Sequence, residues 1–122
     1  MPARTLRLAH RGDWRHAPEN SIAAFEAALA IPACDGLEFD VRRSADGIPI
    51  LCHDATLERT HGRPDRVDTL SALALEALGI PTLAEVLATA GRGPFLDVEL
   101  KEDLGKVEIG RASCRERVYG TV

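Results

Sequence analysis

The chain has 122 residues, of which 45% are hydrophobic and 28% charged, with a formal net charge of −4; this length allows at most one domain with a modest core, in the composition of a soluble globular protein. Arginines are scattered among acids and aromatics are few (Trp14, Phe25, Phe39, Phe95 and Tyr119), which excludes a nucleic-acid surface or base-stacking platform. No apolar run approaches a membrane span and no signal-peptide core opens the chain, so a cytoplasmic address is expected, with Cys34, Cys52 and Cys114 as reduced thiols and no structural zinc site.

Residues 5–9 predict a short strand that runs into His10-Arg11-Gly12-Asp13, where Gly12 permits a tight turn or a close backbone approach. Pro18-Glu19-Asn20-Ser21 opens a helix. Asn20 or Ser21 can cap it, Ile22, Phe25, Ala28 and Leu29 form its apolar face, and Pro32 stops it. Gly36-Leu37-Glu38-Phe39-Asp40-Val41 follows as a second strand, completing a strand–helix–strand crossover. Alternation puts Glu38 and Asp40 on one face and Leu37, Phe39 and Val41 on the other. Those six residues alone also read as a polar-out edge strand.

Ser44-Ala45-Asp46-Gly47 is a turn, and residues 48–52 form an apolar run ending in His53-Asp54. The gap from Val41 to Ile48 is too short for a crossover helix and leaves the path of this connection open. Residues 57–68, polar and rich in arginine, predict a loop, and residues 69–78 a short helix closed by Gly79. Thr82 with Glu85 forms a capping box for a helix whose buried face is Leu83, Val86, Leu87 and Ala90. In residues 94–101, Leu96, Val98 and Leu100 share one face of a strand, and Asp97, Glu99 and Lys101 share the other. Residues 107–122 lack clean periodicity. Gly110-Arg111-Ala112-Ser113-Cys114-Arg115-Glu116-Arg117-Val118 resembles a tail translated from cloning or adapter DNA, so this segment is expected to be non-native or disordered and residues 1–106 to carry the fold.

Four strand-like segments end in ionisable residues: His10/Arg11, Glu38/Asp40, His53/Asp54 and Glu99/Lys101. In a parallel barrel such ends converge on one face. Glu38, Asp40 and Glu99 are a plausible oxygen cage for one divalent ion, and two histidines can divide acid and base duties. With Arg11 and Lys101 as fixed cations, the set suits an anionic phosphodiester substrate.

His10-Arg11-Gly12, Pro18-Glu19-Asn20-Ser21, Glu38-x-Asp40, His53-Asp54, Leu57-x-Arg59-Thr60, Ile80-Pro81-Thr82-Leu83 and Glu99-x-Lys101, in that order, resemble the glycerophosphodiester phosphodiesterases. No single motif is specific, but the ordered combination over residues 6–101 is. Ser21 and His61 stand where the family usually has Thr.

The resemblance implies an α/β fold, the N-terminal part of a (β/α)8 TIM-type barrel. It also implies metal-dependent hydrolysis of glycerophosphodiesters, small-molecule substrates, to sn-glycerol 3-phosphate and an alcohol. Glu38, Asp40 and Glu99 would then hold Mg2+ or Ca2+, and His10 and His53 would be the acid/base pair. Arg11 would bind the phosphate, Lys101 would support metal or phosphate, and Glu19, Asn20 and Asp54 would orient these groups. A whole barrel takes roughly 250 residues, so this chain alone is expected to be truncated, poorly active and prone to self-association. The alternatives are another barrel-type phospholipase, a metal-binding interaction module, or an inactive fragment.

Overall fold

The computed structural model describes residues 5–15 and 17–101, and the backbone of residues 116–120. In chain order its elements are β1 (Leu8–His10), α1 (Ile22–Leu29), β2 (Gly36–Arg43), β3 (Pro49–Leu51), α2 (Glu58–His61), a 3-10 turn (Val67–Thr69), α3 (Ala72–Ala77), α4 (Leu83–Ala90), β4 (Phe95–Leu100) and β5 (Glu116–Gly120). β1, β2, β4 and β5 lie side by side in that order, all parallel, and β3 pairs antiparallel with β2. Parallel strands joined through helices on one face form a portion of a (β/α)8 barrel.

The alternation in β2 and β4 separates two faces. Leu37, Phe39 and Val41 of β2 and Leu96 and Val98 of β4 are buried against Phe25 and Ala28 of α1 and Leu83, Val86 and Leu87 of α4. Phe25 and Phe39 meet edge to face, with ring centroids 5.6 Å apart. Burying this surface is the main force holding the layers together. The opposite face carries the charged residues. β2 is an interior strand, flanked by β1 and β4, so the edge-strand reading of Glu38 and Asp40 does not apply, and Asp40 has no solvent exposure at all.

Caps place the helices that cover the sheet. Ser21 caps α1, its hydroxyl accepting from the Ala24 amide at 3.1 Å. Thr82 and Glu85 form the capping box at α4, with the Glu85 amide donating to Thr82 Oγ1 at 3.1 Å. Two glycines allow tight backbone contacts. Gly12 has φ +81°, and a Cβ there would lie 2.7 Å from the Ala24 carbonyl carbon; at Gly36 a Cβ would meet the Phe95 carbonyl oxygen.

The connection from residue 41 to residue 48 is a hairpin, with Val41, Arg42 and Arg43 opposite Leu51, Ile50 and Pro49. β2 therefore runs past its parallel neighbours and β3 folds back along it. The path left open between Val41 and Ile48 is thus a return: His53 follows a strand antiparallel to β2, not the end of a parallel one. The expected loop over residues 57–68 contains the one-turn helix α2 and a bridge between Thr56 and Arg66. Leu57, Val67, Leu75 and Ile80 close a second apolar cluster beneath it around Ile50. The following helix starts later than expected, at Ala72, with Ser71 as its N-cap.

Cys34 and Cys52 are free thiols; Cys114 lies outside the described residues. The expectation for residues 107–122 also lies outside them, except that the backbone of Glu116–Gly120 pairs with Leu96–Leu100. Among the described residues no helix is long and apolar enough to cross a membrane.

Candidate active site

Strand register sets the charged residues in rows. His10 is the Cα partner of Glu38 and Glu38 of Asp97; Asp40 is the partner of Glu99 one row further on. Carboxylates directly opposite one another repel. Glu38, Asp40 and Glu99 nevertheless each offer an oxygen within 4.8 Å of the others. Burial, together with the neighbouring charges of Asp40, Glu99 and Asp97, pushes the Glu38 carboxyl up to about 7, against the opposing pull of Arg11. Burial also raises Asp40; the hydrogen bond from Asn20 opposes this and contact with Glu99 adds to it.

The loop between β1 and α1 brings two side chains to Asp40. Arg11 and Asn20 adopt the left-handed conformation, with φ of 60° and 56°, a strained choice for residues with side chains. Backbone bonds hold them there: the Arg11 amide donates to Glu38 O at 2.7 Å, and the Asn20 amide donates to Arg11 O at 2.9 Å. Asn20 Nδ2 then donates to Asp40 Oδ2 at 3.2 Å. Arg11 Nε stands 3.4 Å from the same oxygen, and its Nη1 donates to Glu19 Oε2 at 3.2 Å. Just past β4, Lys101 Nζ donates to Glu99 Oε1 at 3.0 Å and stands 3.7 Å from Asp40 Oδ1.

The hairpin delivers the second histidine. The Cys52 amide donates to Asp40 O at 3.1 Å, which brings residue 53 alongside the carboxylates. Arg42, on the same face of β2 as Glu38 and Asp40, grips the His53 carbonyl with Nε and Nη2 at 3.1 and 2.8 Å. His53 Nδ1 lies 2.6 Å from Asp54 Oδ1. Asp54 is held down at about 2, first by its hydrogen bonds from Arg59 and then by His53. It is therefore an ionised acceptor at neutral pH, so Nδ1 carries the proton and Nε2 is the exchangeable atom. His10 Nδ1 approaches Glu38 Oε2 at 2.9 Å, and its imidazole is more than half exposed. A cleft of about 180 Å³ lined by Asn20, Cys52, His53, Arg59, Thr60 and His61 adjoins the group.

The donor set fits a hard divalent cation. Glu38 Oε2, Asp40 Oδ1 and Asn20 Oδ1 are buried acceptors without a hydrogen-bond donor; the approach of His10 to Glu38 lacks hydrogen-bond geometry. Buried oxygens of this kind are costly unless a proton or cation meets them.

Every residue singled out in the sequence for the site (His10, Arg11, Glu19, Asn20, Glu38, Asp40, His53, Asp54, Glu99 and Lys101) belongs to this one connected cluster. Three residues outside that set join the cluster. Arg59 bridges Glu19 and Asp54, Arg42 grips His53, and Asp97 faces Glu38. Asp97 was signalled by its alternation with Glu99; the two arginines depend on the hairpin and on α2, whose paths carry no local signature.

The model of the glycerophosphoryl diester phosphodiesterase family matches residues 10–108. A glycerophosphodiester phosphodiesterase of Caldanaerobacter subterraneus is 36% identical over 115 residues, covering 83% of this chain and 47% of that protein. The crystal structure of glycerophosphodiester phosphodiesterase from Thermotoga maritima is similar with a TM-score of 0.77 at 30% identity, covering 84% of this chain and 46% of that one. A phosphodiesterase of Oleispira antarctica, solved in complex with the product sn-glycerol-3-phosphate, is similar with a TM-score of 0.64 at 30% identity, over 80% of this chain and 44% of that one. The chain thus spans under half the length of each of these three proteins.

Proposed function

The chain belongs to the glycerophosphoryl diester phosphodiesterase family, and from that premise we propose that the barrel it contributes to hydrolyses glycerophosphodiesters to sn-glycerol 3-phosphate and an alcohol with the aid of Mg2+ or Ca2+. The observation that carries this reading is the cluster of Glu38, Asp40 and Glu99, with oxygens within 4.8 Å of one another, between two histidines and two cations.

Glu38, Asp40 and Glu99 would hold the ion, which when bound neutralises charge developing on the phosphoryl oxygens. Arg11 and Lys101 present fixed positive charge to the phosphate from either side of Asp40. His10 and His53 form the acid/base pair: one ring accepts the proton of the attacking oxygen, and the other returns a proton to the departing alcohol oxygen. With Nδ1 held by the Asp54 carboxylate, the His53 ring exchanges that proton through Nε2. Asn20 and Glu19 orient Asp40 and Arg11, and Asp54 sets the tautomer of His53. On this reading the chain by itself is poorly active, and activity belongs to the completed barrel.

The test is release of glycerol 3-phosphate from glycerophosphocholine by the complete barrel, with and without a chelator. We expect turnover to require the cation, and His10→Ala with His53→Ala to lower kcat by roughly 10³-fold or more. Full activity in a folded double variant overturns the assignment. Release of a cyclic phosphate from a lysophospholipid would point to a barrel-type phospholipase, and cation binding without turnover to a binding module.

A further inference from the structure

Arg59, the second residue of α2, contacts neither histidine ring nor any of the three clustered carboxylates, yet it joins the two arms of the site. Its Nε and Nη2 donate to Asp54 Oδ2 and Oδ1 at 2.8 and 3.2 Å. Its Nη1 and Nη2 donate to Glu19 Oε1 and Oε2 at 2.6 and 3.0 Å. Four of the five N–H donors of a guanidinium are thereby used in two forked pairs. Each carboxylate has a second partner. Asp54 Oδ1 takes His53 Nδ1 at 2.6 Å, and Glu19 Oε2 takes Arg11 Nη1 at 3.2 Å. One side chain from a segment forty residues beyond Glu19 thus closes a path His53–Asp54–Arg59–Glu19–Arg11.

We propose that Arg59 is a positioning residue: by clamping Asp54 to Glu19 it fixes the His53 imidazole relative to the Arg11 guanidinium. The inference rests on the function proposed above, which gives His53 and Arg11 their parts in the reaction. An ordinary ion pair of a half-exposed arginine counts for little. Here each carboxylate holds the working end of a group that must meet one phosphate, Asp54 the His53 Nδ1 and Glu19 the Arg11 Nη1, and a misplacement of about 1 Å between such groups can cost on the order of 10²-fold in rate. Lysine cannot replace the fork, since its ammonium is a point charge without two parallel N–H edges. Burial adds to the demand: the Glu19 side chain is only 9% exposed, and its carboxyl is held below its usual range chiefly by the Arg59 hydrogen bond.

The experiment compares wild type, Arg59→Lys and Arg59→Ala in the complete barrel. The expected result is a kcat lower by about 10- to 100-fold in both variants, with KM for glycerophosphocholine changed less than about threefold. Methylguanidinium should restore part of kcat to Arg59→Ala. Independently of turnover, the His53 Nδ1–H proton resonance should be sharp in the wild type and broadened by exchange in both variants, while the backbone amide spectrum of the sheet is retained. A sharp His53 resonance and unchanged kcat in a folded Arg59→Lys would overturn the proposal and leave a surface ion pair. If wild type releases no glycerol 3-phosphate, the phosphodiesterase reading fails instead, and the His53 resonance still decides whether Arg59 positions the ring.

Discussion

Glu38 combines partial burial with three acidic neighbours, which together push its carboxyl up to about 7 from an ordinary 4.5. Below about 4.5 the group is neutral in both folded and unfolded states. As pH rises from there to 7, the unfolded chain ionises while the folded chain resists, so the unfolded state binds fewer protons and stability falls. Thermal melts in chelator should therefore show a lower melting temperature at pH 8 than at pH 5, with a smaller drop in Glu38→Gln, which retains the shape without the charge. Added Mg2+ or Ca2+ should raise the melting temperature more at pH 8 than at pH 5, because the ion meets oxygens that are then ionised. An identical pH slope in wild type and Glu38→Gln would contradict this account.

Among the elements, the capped helices and the parallel strands carry separable contributions. Thr82→Ala removes one half of the capping box at α4 and should cost about 1 kcal/mol in chemical denaturation. Gly36→Ala should cost much more, since the added methyl would fall on the Phe95 carbonyl between β2 and β4. Equal effects of the two substitutions would refute that ranking. The same elements show what could be read from the chain. Alternation in β2 and β4 placed Glu38, Asp40, Glu99 and Lys101 on one side, because period-two patterning is a local property of backbone geometry. The Thr82/Glu85 cap was equally local. The return of β3 was not: an apolar run followed by His-Asp looks the same whether the strand advances or doubles back. The reach of Arg59 to Glu19 was hidden for a related reason, since α2 is one turn long and its position depends on Leu57, Val67 and Leu75 packing beneath it.

At the scale of the whole molecule, the described sheet has two outer strands, β1 bonded to β2 and β5 bonded to β4. Alongside β1 runs a cleft of about 300 Å³ lined in part by Leu8, Ala9, Ala28, Ile31 and Cys34. Leu6 and Ile31 are 42% and 39% exposed. Unpaired strand edges beside apolar surface are templates for association. Sedimentation of the isolated chain should accordingly show dimers or larger species rising with concentration. A monomer that unfolds cooperatively at every concentration would count against this.

The parallel pairing of β2 with β4 joins Gly36 to Phe95 and, in the same register, Asp40 to Glu99. Chain segments this distant meet late and slowly, because a long loop must close before any contact rewards it. That closure also brings Glu99 beside Glu38 and Asp40, so pairing of these two strands and assembly of the three-carboxylate cluster are one structural event. Protons or divalent cations thus favour the paired strands over the open chain, and a nascent chain lacks the three-carboxylate cluster until Glu99 has been synthesised and has found its partner.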